Sequence, residues 1–252
     1  MIPVIREFNS QIQPRFERMI RDLRIEPGGR TGSRRRLSTR WTIEASYDGG
    51  GRPDRDAIQA AVSEAVMRAA VREMRDAAPD RPVTQFEREV AGVLLTETLG
   101  DLRQSAFAGA YHAAGEQTRI GGWEMQEPTE NLDDLMDSGF RKIGPEGFAL
   151  VSPVLAWWLM GGRNVEDDAP KVGECLSAAW RDRLLVVNRG TWTDAPVLFL
   201  KPGWAATGGS VLAGAEPEIS ADGSEVVIHL ITDVAFEIDP DCILSVTVKD
   251  LF

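Results

Sequence analysis

Histidine and cysteine are almost missing from this chain of 252 residues, which has two of each. Metal centres and nucleophilic active sites draw heavily on these residue types, so their scarcity narrows the chemistry before any motif is sought. Cys175 and Cys242 lie far apart and form no CxxC or zinc-ligand spacing. Two buried free thiols in a reducing compartment are expected, with a disulfide between them as the alternative. His112 and Glu116 are four apart and would share a helix face. That is half a metal site, but no second ligand pair of matching spacing follows, and an ordinary polar helix end is the plainer reading. His229, between Ile228 and Leu230, reads as a packed or surface histidine in a strand.

Other signals are missing too. No run of eighteen apolar residues exists, so no membrane span is expected. Met1-Ile2-Pro3-Val4-Ile5-Arg6-Glu7 has no basic stretch followed by an apolar block, so no secretory signal is expected. There is no G-x-S-x-G and no dinucleotide fingerprint after a strand. Gly28-Gly29-Arg30-Thr31-Gly32-Ser33 lacks the lysine of a phosphate loop and the strand before it, and reads as a hinge. Asp133-Asp134 and Glu166-Asp167-Asp168 sit beside expected helix starts, where compensation of the helix dipole accounts for them. The reading is therefore of no catalytic residue, no cofactor and no metal site.

What is present is a foldable chain, 43% hydrophobic and 27% charged, long enough for one large domain or two lobes. Its net charge of −11 is uneven. Residues 1–40 hold ten arginines against Glu7, Glu17, Asp22 and Glu26, or +6, which leaves −17 on the remainder. A basic arm on an acidic body suits an acidic partner, including another copy of the same body. Deletion of residues 1–36 is expected to leave that body folded.

Along the chain, residues 3–26 read as a helical arm broken by Pro14, with Phe16, Met19, Ile20 and Leu23 at helical spacing. Leu37, Thr39, Trp41 and Ile43 alternate, which signals a strand. Pro53 opens a helix to about Ala77. Thr84-Gln85-Phe86-Glu87 is a capping box for a long helix running to Tyr111. Residues 112–128 look like a loop, and a short helix covers Leu132–Met136. Phe148–Val151 is a short buried strand, and Ser152-Pro153 starts a helix over Val154–Met160. Its Trp157 and Trp158 point to different faces, so one of them is free to meet a neighbouring lobe or chain. A helix is expected over Pro170–Trp180. Strands are expected at Leu184–Asn188, Pro196–Leu200, Ser210–Ala213, Val226–Phe236 and Cys242–Val248. Helices in the middle and a β-rich end indicate an α+β fold.

Three stretches carry a resemblance. Ser33-Arg34-Arg35-Arg36-Leu37-Ser38-Thr39-Arg40-Trp41-Thr42-Ile43-Glu44 is similar to the basic-then-β segment before the spine helix in capsid proteins of contractile-tailed phages. Phe86–Leu99 is similar to the spine helix, and Phe148–Leu155 to the strand, Ser-Pro, helix element that opens the axial domain. Val234–Leu251 is similar to the closing strands. The chain thus resembles the major capsid proteins of tailed bacteriophages, whose fold encapsulin shells share. The extra helix at 54–77 leaves open which long helix is the spine.

The resemblance implies an N-terminal arm (1–29), an extended β loop (30–52), a peripheral domain with long helices (53–130), a β-rich axial domain (131–235) and a closing strand (236–252). It implies a structural subunit that is not an enzyme and that forms pentamers and hexamers of an icosahedral shell. Such a shell encloses DNA without sequence-specific binding, in a virion assembled in the host cytoplasm. Portal or decoration proteins are further expected partners, with no membrane. Length and the presence of Met1 lead us to expect any scaffold to be a separate protein. An encapsulin-like compartment for protein cargo is the near alternative. An enzyme with an unrecognised site and a nucleic-acid-binding module using the Arg-rich segment are more distant ones.

Overall fold

A computed structural model describes residues 3–28, 37–44, 81–116, 128–165, 170–173, 175–190, 197–211, 217–219 and 225–246. The expected helix at 53–77 and the acidic run 166–168 fall outside these residues, as does most of the loop 30–52. The fold is α+β, with two compact units: residues 1–16, 34–102 and 209–235 in the first, and 17–33, 103–208 and 236–252 in the second.

The arm is a single helix, α1 (Pro3–Asp22), which Pro14 does not break. Val4, Ile5, Phe8, Ile12, Phe16, Met19, Ile20 and Leu23 recur every three or four residues, and all are buried. Burying each contributes about 1.5–3 kcal/mol, against a cost of about 3 kcal/mol for proline inside a helix. Pro14 and Ser10, one turn earlier, are both exposed, so water can solvate the carbonyl the ring leaves unbonded. The helix is part of its own chain's core, which is at odds with the expectation that residues 1–36 can be deleted without loss of folding.

In the first unit, strand β2 (Leu37–Glu44) lies where the alternation predicts it. It pairs antiparallel with β10 (Glu225–Ile238) over eight residues, from Leu37↔Thr232 to Glu44↔Glu225. The short β9 (Pro217–Ile219) pairs antiparallel with β10 as well. The capping box opens α2 (Gln85–Glu116), a helix of 32 residues and about 48 Å whose residues as far as Leu102 belong to this unit. It runs past the predicted stop at Tyr111, because Ala113 and the buried Ala114 continue the helix.

The second unit is built on a six-stranded sheet in the order β11-β7-β3-β6-β5-β4. These strands are β3 (Phe148–Val151), β4 (Lys171–Val172), β5 (Cys175–Trp180), β6 (Arg183–Val187), β7 (Val197–Leu200) and β11 (Ile243–Val246). Only β3 and β6 run parallel. The predicted helix over Pro170–Trp180 is thus two strands. Leu176 pairs with Val187 and Trp180 with Arg183, across a two-residue turn where Arg181 and Asp182 both have positive φ. Sheet pairing and burial of Cys175, Leu176 and Trp180 override the helix preference of Ala178-Ala179.

The short helix predicted at Leu132–Met136 is the longer α3 (Pro128–Ile143). It buries Leu132, Leu135, Met136, Phe140 and Ile143 and ends at Gly144, whose φ is 83° and whose N–H returns to the Phe140 carbonyl. The helix after Ser152 is α4 (Pro153–Leu159), close to prediction. β8 spans Ala205–Ser210, just before the predicted Ser210–Ala213. It pairs in parallel with β1 (Glu26–Pro27).

Candidate functional site

Among the described residues, no group of three or more His, Cys, Asp or Glu is placed to hold a metal ion. His112 is exposed on α2, with Glu116 one turn on. His229 sits in β10 opposite Arg40. Neither cysteine is in a disulfide. Cys175 is buried as expected, whereas Cys242 is only half-buried. Burial raises the Cys242 thiol pKa, and the neighbouring Asp239 carboxylate raises it further, which disfavours the nucleophilic thiolate. The Gly28 end of the predicted hinge is anchored by its N–H to the Thr207 carbonyl, and the rest of that hinge is outside the described residues.

Asp133 and Asp134 are not at a helix start. The helix begins five residues earlier at Pro128, and Asp133 and Asp137 instead bracket Arg181, whose guanidinium also lies 4.7 Å from the Trp180 ring centre. These side chains are 42–52% exposed, so the cluster contributes little to stability.

A tight polar network lies in the first unit. Thr84 N–H donates to Glu87 Oε2 at 2.8 Å, and Glu87 N–H donates to Thr84 Oγ1 at 3.3 Å, which completes the predicted box. Arg81, which sequence patterning did not single out, donates to both carboxylate oxygens of the buried Glu87. Arg6 on α1 donates to the Arg81 carbonyl at 2.6 Å. Burial alone would raise the Glu87 pKa, but the hydrogen bonds from Arg81 and Thr84 outweigh it and hold the carboxyl below the usual glutamate range. These bonds brace the start of α2 against the chain before it.

In the second unit, Trp204 is fully buried, stacks on Phe107 at 6.2 Å and donates its Nε1–H to the Leu23 carbonyl. Gly203 N–H donates to the Arg24 carbonyl. These bonds sew the end of α1 into the unit. The sequence pattern contained no sign of them, because the partners are separated by most of the chain. Trp157 and Trp158 do point apart. Trp158 packs on the core, and Trp157 is the one large apolar side chain that is exposed among the described residues, at 38%.

No protein-family model and no curated protein matches the sequence. Among solved structures, the chain is similar to one from Mycobacterium phage Che8, with TM-score 0.45 and 15% identity over 84% of this chain and 70% of that one. It is similar to the mature capsid of bacteriophage PhiM1, with TM-score 0.38 and 11% identity over 86% and 72%. It is also similar to the holo-SrpI encapsulin complex of Synechococcus elongatus, with TM-score 0.41 and 12% identity over 94% and 88%.

Proposed function

We propose that this chain is a structural subunit that associates with copies of itself, as pentamers and hexamers, into an icosahedral capsid of the tailed-phage type around DNA. The order of elements carries the reading. Among the described residues, an N-terminal helix is followed by an eight-residue strand, a 32-residue helix, a Ser-Pro junction between a buried strand and a short helix, a β-rich unit and a last short strand. Of the stretches that support the sequence resemblance, 86–99 lies on a helix, 148–155 on strand-to-helix and the 37–44 part of 33–44 on a strand, while 33–36 lie outside the described residues. On this reading α2 is the spine, residues 53–130 belong to a peripheral domain, 131–235 to an axial domain, and 236–252 form the closing strand, whose β11 pairs with β7.

The task of such a subunit is mechanical. Long elements span distance, and stiff caps such as the Thr84–Glu87 box and Ser152 set the direction of the chain at their ends. The acidic body suits a DNA container, since a strongly basic lining would bind the incoming polymer and stall it. Portal and decoration proteins are further partners in this scheme, and the mature location is the virion.

Electron microscopy of the purified protein, alone and with a co-expressed scaffold, tests the proposal. Closed particles or rings of five or six subunits are expected. A monomer under every condition, scaffold included, would overturn it. Protein cargo instead of DNA inside the particles would assign the chain to an encapsulin-like compartment.

A further inference from the structure

A shell subunit needs surfaces that its own folding leaves unused, and the second unit has one at Trp157. The indole is 38% exposed, yet it is held in place. The helix carrying it starts at Ser152, whose Oγ accepts from Leu155 N–H at 3.2 Å, and it has proline at its first position. It closes through Met160 N–H to the Ala156 carbonyl, Gly161 N–H to that of Trp158, and Gly162 N–H to that of Trp157. Gly162, with φ +81°, passes so near the ring that a Cβ there would sit 3.5 Å from it. From another side Trp158 meets it edge-on, with centroids 5.4 Å apart and planes at 84°. One residue beyond Gly162, the exposed Arg163 donates its Nε–H to the Met160 carbonyl.

We infer that Trp157 and Arg163 anchor a contact with a second copy of this chain, an inference that rests on the shell reading. Tryptophan and arginine are the residues that most often dominate the energetics of protein interfaces. An aromatic already fixed in place loses little further freedom on docking, so more of its burial appears as affinity. Charge selects the occupant. Beyond residue 40 the chain carries −17, so another copy offers an acidic surface to Arg163, whereas DNA would meet a strongly like-charged body. Size sets the strength. One partly exposed indole and its rim fall far short of the ~800 Å² per partner that a stable pair buries. The contact is therefore weak between two copies and becomes decisive when a closed ring or shell repeats it.

The test compares wild type, Trp157→Lys, Trp157→Phe and Arg163→Glu for particle yield by sedimentation and electron microscopy, with thermal unfolding as the control for folding. Trp157→Lys should melt like wild type and lose about tenfold or more in yield, the equivalent of one unfavourable charge buried per contact. Trp157→Phe should keep most of the yield, and Arg163→Glu should lower it several-fold without changing the melt. Wild-type yields from both Trp157→Lys and Arg163→Glu would overturn the inference while leaving the shell reading intact. A Trp157→Lys protein that unfolds, together with an Arg163→Glu protein of normal yield, would also overturn it. Failure of the wild type itself to assemble would instead remove the reading beneath it.

Discussion

Glu87 shows how one buried side chain can set the geometry of a helix start. Its carboxylate accepts from Arg81 twice and from the Thr84 N–H, while Arg81 in turn holds Arg6 through its carbonyl. Glu87→Gln keeps the shape but removes the charge that binds Arg81, and is expected to cost about 2 kcal/mol at neutral pH. The folded-state pKa of Glu87 is lowered, so its contribution is complete above the unfolded glutamate pKa and is lost as pH falls through the folded value. Urea unfolding of both proteins should therefore show a gap at pH 7 that narrows at strongly acidic pH. A gap that does not change with pH would mean the charge is not what stabilises the network.

The contact between α3 and the sheet shows how an element's position rests on one small residue. Gly139 faces the Phe199 ring so closely that a Cβ would overlap it, and Phe199 is fully buried against Phe140 in an edge-on contact. The ring has nowhere to move, so Gly139→Ala should destabilise the protein by about 1–3 kcal/mol despite the better helix propensity of alanine. A melting temperature equal to or above that of wild type would show that the helix shifts freely on the sheet. At the same scale, α1 buries an unbroken apolar stripe, and the residues after it are hydrogen-bonded to Gly203, Trp204 and Thr207. Deleting residues 1–28 should abolish cooperative unfolding, because it strips the partners of Trp204 and uncovers the core. A truncated protein with the wild-type urea midpoint would restore the independent arm.

For the whole molecule the governing quantity is charge distribution. On the shell reading, copies with a net charge of −11 would repel one another, and the +6 of residues 1–40 would be the part of each copy that attracts the rest of the next. Replacing Arg34, Arg35 and Arg36 with alanine should lower particle yield at low salt. The difference from wild type should close as the screening length shrinks from about 10 Å at 0.1 M salt to about 3 Å at 1 M. Equal yields across the salt series would make the basic segment a passenger in assembly.

Short-range features were legible in the amino-acid order alone. The Thr84–Glu87 box, the Ser152-Pro153 start, the apolar run Phe148–Val151 and the alternation over Leu37–Ile43 each involve residues within a few positions of one another. Steric preference and local hydrogen bonding decide such features wherever the segment ends up. The same holds for the observation that Trp157 and Trp158 point apart, though only packing decided that Trp158 faces the core and Trp157 faces water. The features that misled were those settled by distant partners. Cys175–Trp180 became a strand because β6 offered a register in which Cys175, Leu176 and Trp180 are buried. Pro14 stays inside a helix because burial along the stripe exceeds its local penalty. Arg81, Arg181 and Trp204 acquired their roles from partners that the folded chain brings together, some of them across most of its length. Local propensities amount to tenths of a kcal/mol per residue, whereas burying one large side chain is worth more than a kcal/mol, so tertiary contact prevails where the two disagree.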